Sequence, residues 1–221
     1  SRFLVKVTLF SSGGPFLEGY VLGIIGVALG LLGNDLPLSS SAQGLIGAAS
    51  LVGLFLGASV GGWLTDQIGR RKMFVLDILV IIAVSVACAL VQAAWQLVLL
   101  RFIVGVAIGA DYPIATSMIA EFTPRRYRAI SMGFIAAVWY IGANVAYLVG
   151  YFMAGVDSGW RWMLASSVVP CLVILVGRWG IPESPRWLLA KGRTEEAAAV
   201  VLQVYGENVT LEGEVADTAT E

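Results

Sequence analysis

Apolar residues run along the chain in six blocks, each closed by a short polar break. A bilayer-spanning helix needs about 20 predominantly apolar residues. Six segments meet that length: 8–32, 43–64, 73–94, 96–120, 129–154 and 160–180. The pattern therefore predicts an all-α membrane protein with six transmembrane helices. The first block is too long for a cleavable signal peptide and carries Glu18 at its centre. Past residue 180 the character changes. Ser184 reads as an N-cap, Pro185 as the first helical residue and Gly192 as a stop. That predicts a short helix, and 194–205 predicts a second, amphipathic one. Residues 207–221 are acidic, lack aromatics and read as a flexible tail or the start of a linker. The expected organisation is a transmembrane bundle over 1–180, surface helices over 181–206 and a tail over 207–221.

Composition agrees with lipid as the solvent and narrows the chemistry. The chain is 58% hydrophobic and 13% charged, with a mean hydropathy of +0.83, whereas a soluble domain carries about 25% charged residues. A net charge of −1 gives no case for nucleic acid. Histidine is absent, which removes the commonest general base and metal ligand. No nucleophile–base pair or metal spacing is present, so neither an enzyme nor a metal or cofactor site is expected. Cys88 and Cys171 each sit inside an apolar run and read as small packing residues. The chain opens on Ser1 and is read as trimmed or as a fragment.

The basic residues set the expected orientation. With the N-terminus inside, the cytoplasmic positions hold Arg2, Lys6, Arg70, Arg71, Lys72, Arg125, Arg126, Arg128, Arg178, Arg186, Lys191 and Arg193, twelve of the 14 Lys and Arg. Arg161 lies in an outer loop and Arg101 inside a helix. This bias predicts an inner (plasma) membrane protein with both termini in the cytoplasm. The densest break, Gly62 to Lys72, reads as a charged hinge at that surface. Just before it, Gly53, Gly57 and Gly61 repeat every four residues and make a smooth stripe for close helix packing.

Four ionisable residues fall within the predicted spans: Glu18, Asp77, Arg101 and Asp111. Each is costly in a bilayer and is a functional candidate for that reason. At 1.5 Å per residue, Glu18 lies about 15 Å in, Arg101 about 8 Å from the outer end of its helix, Asp111 about 8 Å from the inner end of the same helix, and Asp77 about 6 Å above the inner face. Arg101 either snorkels outward or faces inward. Asp77 is expected to pair with the hinge at 70–72. Asp111 precedes Tyr112-Pro113, where the proline frees a backbone carbonyl, so it is satisfied locally or lines a cavity. Glu18 must be neutral, paired or in a wet cavity, which suits a proton carrier. Glu18, Arg101 and Asp111 are the proton-coupling candidates.

Three spaced motifs resemble a known family. Gly62-x-x-x-Asp66-x-x-Gly69-Arg70-Arg71 resembles the loop signature of the major facilitator superfamily. Arg101-x-x-x-Gly105-x-x-x-Gly109-x-x-x-Pro113, with Glu121-Phe-Thr-Pro124-x-x-x-Arg128 after it, resembles the sugar-porter branch, as does Pro182-Glu183-Ser184-Pro185-Arg186-Trp187-Leu188. Asp111-Tyr112-Pro113 is also similar to phosphate:proton symporters. The closest likeness is to bacterial inner-membrane metabolite transporters of the sugar-porter-like group, over roughly residues 10–195.

The resemblance implies twelve helices in two halves, each half a pair of inverted three-helix repeats, with substrate at the midplane between the halves. This chain would be the N-terminal half. Its partners would be a small-molecule substrate, a proton, the lipid bilayer, and a C-terminal six-helix half or a second copy. Glu18 and Arg101 fall on the family's proton-carrying acid and its neighbouring arginine. Gly62, Asp66, Gly69, Arg70, Arg71, Glu121, Arg128, Glu183 and Arg186 fall on its cytoplasmic gate, where Arg70 and Arg71 are expected to bond Glu121 and Glu183. The glutamines by which sugar porters ligate hydroxyls fall on Ala136 and Ala143. Trp139, Tyr140, Asn144 and Tyr147, with Gln43 on the second helix, stand as substrate-binding candidates instead. The Gly-Pro motif of antiporters is missing from 141–155, which favours symport or uniport. The expected function is proton-coupled symport of a small polar metabolite. Uptake of an organic anion or phosphate through Arg101, or a non-transporting membrane scaffold or sensor, are the alternatives.

Overall fold

A computed structural model describes residues 9–36, 38–122 and 125–205; of 34, 120–122, 125–128 and 205 it describes only the backbone. Inside a bilayer every backbone polar group must be satisfied within the chain, so the apolar blocks become helices. They are α1 (Gly13–Asp35), α2 (Ser40–Ile68), α3 (Arg70–Ala89), α4 (Ala94–Phe122), α5 (Arg125–Met153), α6 (Gly159–Ala165) and α7 (Val168–Arg178). Two short helices follow, α8 (Pro185–Ala190) and α9 (Thr194–Tyr205). Among the described residues, six stretches are long and apolar enough to span: Leu9–Gly33, Ser40–Ile68, Arg70–Ala89, Ala94–Ile119, Ala129–Met153 and Gly159–Arg178.

Two local features differ from the sequence reading. The hinge is a single residue, because α2 runs on to Ile68 and α3 starts at Arg70. Gly69 alone turns the chain, at φ +106, a conformation that any other residue adopts only under strain. The sixth span is broken at 166–167 into α6 and α7. Pro170 has no N–H to offer the carbonyl of Ser166, which accepts from Val169 N instead at 3.1 Å. The hydroxyls of Ser166 and Ser167 bond back to Met163 O and Leu164 O, loosening the helix at that point.

Glycines decide which helices pair. On α2 a Cβ at Gly53 or Gly57 would press on the carbonyls of Phe102 or Val106, and one at Gly61 on Ala110. In return Gly105 and Gly109 of α4 face the carbonyls of Ser50 and Leu54. The α1–α5 pair repeats the device, with Gly19 against Trp139 O and Gly142 against Phe16 O. Span 2 on span 4 thus mirrors span 5 on span 1. Spans 1 and 4 start from opposite ends of the bundle, so the two three-helix units are inverted relative to one another.

Span 1 and the broken sixth span supply much of the core, with Leu17, Val21, Ile24, Ala28, Leu32, Trp160, Met163, Leu164 and Cys171 buried together. A smaller cluster of Met73, Phe74, Ile114, Ala115, Met118 and Ile181 closes the end that carries the hinge, called the basic end below. At the opposite end Asp35 ties α1 to α6, accepting from Trp160 Nε1 (2.7 Å) and Ser158 Oγ (2.9 Å). These bonds, the indole's first, hold its carboxyl below the usual carboxylate range.

Candidate functional site

The close crossing of α1 and α5 builds the mid-depth site. Because Gly19 and Gly142 let the two backbones approach, Trp139 arrives beside Glu18. Glu18 is half-buried, nine residues into its span, about 14 Å from the basic end. Trp139 meets Tyr140 edge-to-face, with ring centroids 5.1 Å apart. Tyr140, Asn144 and Tyr147 are exposed along α5, and Asn144 Nδ2 donates to Tyr140 O (2.8 Å). The face presents a carboxyl, an indole, two phenols and an amide, a set able to hydrogen-bond and stack on a small polar ring. Gln43 is not part of it. It lies exposed at the start of α2, near Gly33, towards the opposite end.

Arg101 is 1% exposed, so it does not snorkel outward. Its Nη1 donates to Val21 O on α1 at 3.3 Å, one helical turn from Glu18, and its guanidinium also reaches Cys88 on α3. It is enclosed by α1, α3 and α4.

Asp77 does not pair with the hinge, as the sequence reading expected. It joins Asp111 around Arg178, which the charge pattern places with the loop cations but which falls within the 160–180 block. Arg178 sits at the end of α7 and turns inward. Its Nη1 lies 2.9 Å from Asp111 Oδ1 and 3.5 Å from Asp77 Oδ2. Nη2 donates to Asp111 Oδ2 (3.1 Å), Nη1 to Phe74 O (2.8 Å) and Nε to Phe10 O (3.2 Å). The guanidinium also stacks 3.5 Å from the Phe74 ring centroid. Gly14 makes room for this cluster, since a Cβ there would coincide with the Asp111 carboxylate. The signal in the sequence was an arginine inside an apolar block, with two acids at matching depth.

At the basic end Glu183 meets the hinge through the main chain. Its carboxylate accepts from Arg70 N (3.0 Å) and Arg71 N (3.2 Å), the exposed first turn of α3, and from Ser184 N (3.0 Å). A carboxylate there satisfies orphan N–H groups and favours the helix dipole. Trp187 Nε1 donates to Asp66 O (2.9 Å), locking α8 under the end of α2. Ser184 caps α8 by accepting from Trp187 N (3.2 Å). Gly69 is enclosed between Glu183 Oε2 and the Trp187 ring. Arg70 lies within electrostatic reach of Asp66, Glu183 and Arg186. Gly62, by contrast, faces open space. The side chains of Glu121 and Arg128 lie outside the described residues, and so does the tail at 207–221. A cavity of about 730 Å³ opens beside the hinge, between α3, α8 and α9, lined by residues such as Arg71, Lys72, Leu76, Trp187 and Val200; it does not reach Glu18.

Known proteins share this architecture. The family described as sugar (and other) transporter matches residues 6–220. YaaU of Escherichia coli is 52% identical over 209 residues, covering 95% of this chain and 47% of YaaU. The inner membrane metabolite transport protein YgcS of the same organism is 41% identical over 221 residues, 100% of this chain and 49% of its own length. The structure of the proton:xylose symporter XylE with 6-bromo-6-deoxy-D-glucose bound superposes with a TM-score of 0.87 at 25% identity, covering 99% of this chain and 52% of that one. The chain thus spans about half the length of these relatives, which are transporters and not enzymes. It belongs to the sugar (and other) transporter family of the major facilitator superfamily, as a six-helix unit matching the N-terminal half of that fold.

Proposed function

We propose that this unit forms one half of a proton-coupled symporter that moves a small polar metabolite, sugars among the candidates, across the inner membrane by alternating access. The single observation that carries the reading is Glu18: a carboxyl near mid-depth, half-buried, beside Trp139 and the exposed polar face of α5. A carboxyl in that setting binds and releases a proton where a substrate would sit. Substrate would contact Trp139, Tyr140, Asn144 and Tyr147 on one side and a second six-helix unit, or a second copy, on the other. Arg101 would steady the α1 backbone beside the proton site. Because it is enclosed, it favours a neutral polar substrate over an anion.

The basic end would be the cytoplasmic side, as the distribution of Lys and Arg favours. There Asp66, Gly69, Arg70, Arg71, Glu183 and Arg186, with Gly62, Glu121 and Arg128, would close the inner gate. The contact of Glu183 with the first turn of α3 supports a gate made as much from helix caps as from side-chain ion pairs.

Proteoliposomes holding the full-length protein that carries this chain test the reading. An imposed proton gradient is expected to drive accumulation of at least one labelled pentose, hexose or other small polar metabolite. Glu18→Gln is expected to abolish that accumulation while sparing exchange at equal pH. Accumulation fully retained in Glu18→Gln would take the proton role from this residue, and proton-independent flux in the unmutated protein would remove symport.

A further inference from the structure

The cavity beside the hinge changes character along its depth, and that limits what can fill it. One wall belongs to α3. Lys72, Val75, Leu76 and Leu79 recur at the spacing of one helix face, and all four are exposed. The row begins two residues into α3 and ends nine residues in, so it runs from the membrane surface to about 14 Å into the span. The surface helices complete the lining, with Trp187 and Leu188 from α8 and Ala199 and Val200 from α9. The cavity is thus apolar towards the middle of the span and charged at its surface end.

Five charged side chains line that surface end: Arg71, Lys72, Glu183, Arg193 and Glu196. Three of them are satisfied within the chain. Glu183 accepts from the amides of Arg70, Arg71 and Ser184. Arg193 and Glu196 pair with each other through two bonds of 2.6 Å. Arg71 and Lys72 are left over, both exposed, and neither is in an ion pair among the described residues. They are adjacent like charges in the first turn of α3, where the helix dipole also disfavours a cation. An anion beside them relieves both penalties.

The apolar row decides which anion. A small water-soluble anion leaves Val75, Leu76 and Leu79 uncovered. The acidic stretch 207–221 follows α9 and carries five acids, but its few apolar residues are scattered among them. A phospholipid with a negative headgroup meets both demands at once, with phosphate for the cations and hydrocarbon for the row. We infer that the groove between α3, α8 and α9 binds one anionic phospholipid from the leaflet at the basic end. Arg71 and Lys72 hold its phosphate, and an acyl chain lies along Val75, Leu76 and Leu79. The lipid bridges span 3 and the surface helices next to Gly69, and so steadies the hinge. This site depends on neither the symport reading nor the orientation of the chain.

Photolabelling of the full-length protein in detergent tests it, using phosphatidylglycerol with a photoreactive group in one acyl chain. Peptide mapping is expected to find the label concentrated on residues 75–79 and 199–200. Unlabelled phosphatidylglycerol should displace it, and the same amount of phosphatidylcholine should not. Lys72→Gln, which removes a cation, and Ala199→Trp, which fills the groove, should each lower the labelling severalfold. Lys191→Gln, at the same end but outside the groove, should leave it unchanged. The map and the competition use the unmutated protein, so the test survives a variant that fails to fold. Label spread evenly over the spans, or displaced equally by phosphatidylcholine, overturns the inference in favour of ordinary annular lipid. Displacement by inorganic phosphate as effective as by phosphatidylglycerol would assign the cations to a free anion. Carbodiimide coupling of Lys72 to an acid within 207–221, undiminished by phosphatidylglycerol, would assign the groove to that stretch. Either result overturns the lipid site.

Discussion

The residues that matter most are polar groups whose partners are backbone atoms. Glu183 is the clearest case. Sequence alone suggests an ion pair with Arg70 or Arg71, but its carboxylate caps α3 through their amides. A cap of this kind contributes about 1 kcal/mol, and Gly69 must keep φ +106 for the cap to reach. The full-length protein in detergent is therefore expected to melt lowest for Gly69→Ala, which is both strained and crowded against Glu183 and Trp187. Glu183→Ala should melt next lowest, and Glu183→Gln, which keeps an acceptor oxygen, close to the parent. Equal melting of Glu183→Ala and the parent would show that the cap carries no weight. Arg178 teaches the same lesson from the other side. Its position in an apolar block was visible, but its inward turn depends on Phe10, Phe74, Asp77 and Asp111, which three separate stretches of chain supply.

At the scale of elements, small residues decide which helices touch. Gly53, Gly57 and Gly61 were legible as a packing stripe because their spacing puts them on one face of α2. Their partner on α4 was not, since a stripe does not name what it meets. Once paired, the backbones are too close for a side chain: a Cβ on Gly105 would press on Ser50 O. Gly105→Val is expected to cost roughly 1–3 kcal/mol by overpacking, read as a lowered unfolding midpoint. Gly30→Ala is the contrast. A Cβ there meets nothing within 4 Å, so the better helix former should leave the midpoint unchanged or raise it, by at most about 1 kcal/mol. Similar losses from both variants would remove the argument from close approach. The break at 166–167 belongs to the same scale. Pro170 and two serines signal it, but a hydropathy window spans it without a dip.

For the whole molecule, the exposed face of α5 is the feature that asks for something more. Tyr140, Asn144 and Tyr147 line it from the level of Glu18 towards the opposite end, where lipid would be a poor neighbour for an amide and a carboxyl. The proposed transporter covers this face with its second six-helix unit and fills the gap with substrate. In the full-length protein, Asn144→Cys is expected to react with a small water-soluble thiol reagent and to be protected by the transported substrate. Reaction only with membrane-soluble reagents, unaltered by substrate, would put α5 against lipid and move the binding face elsewhere.

Sequence by itself determined the solvent, the number of the spans, the family motifs and the near-central place of Glu18 in its span. All of these follow from local composition, because the bilayer imposes a fixed length and forbids unsatisfied backbone. Tertiary structure decided what each charge meets. Glu18 meets Trp139 because two glycines let α1 and α5 cross closely, Glu183 meets main-chain amides because Gly69 turns the chain in one residue, and Asp77 meets Asp111 and Arg178 because three spans converge. Those partners are far apart in the chain, and local pattern sets a residue's depth and helix face but not the helix that comes to lie opposite.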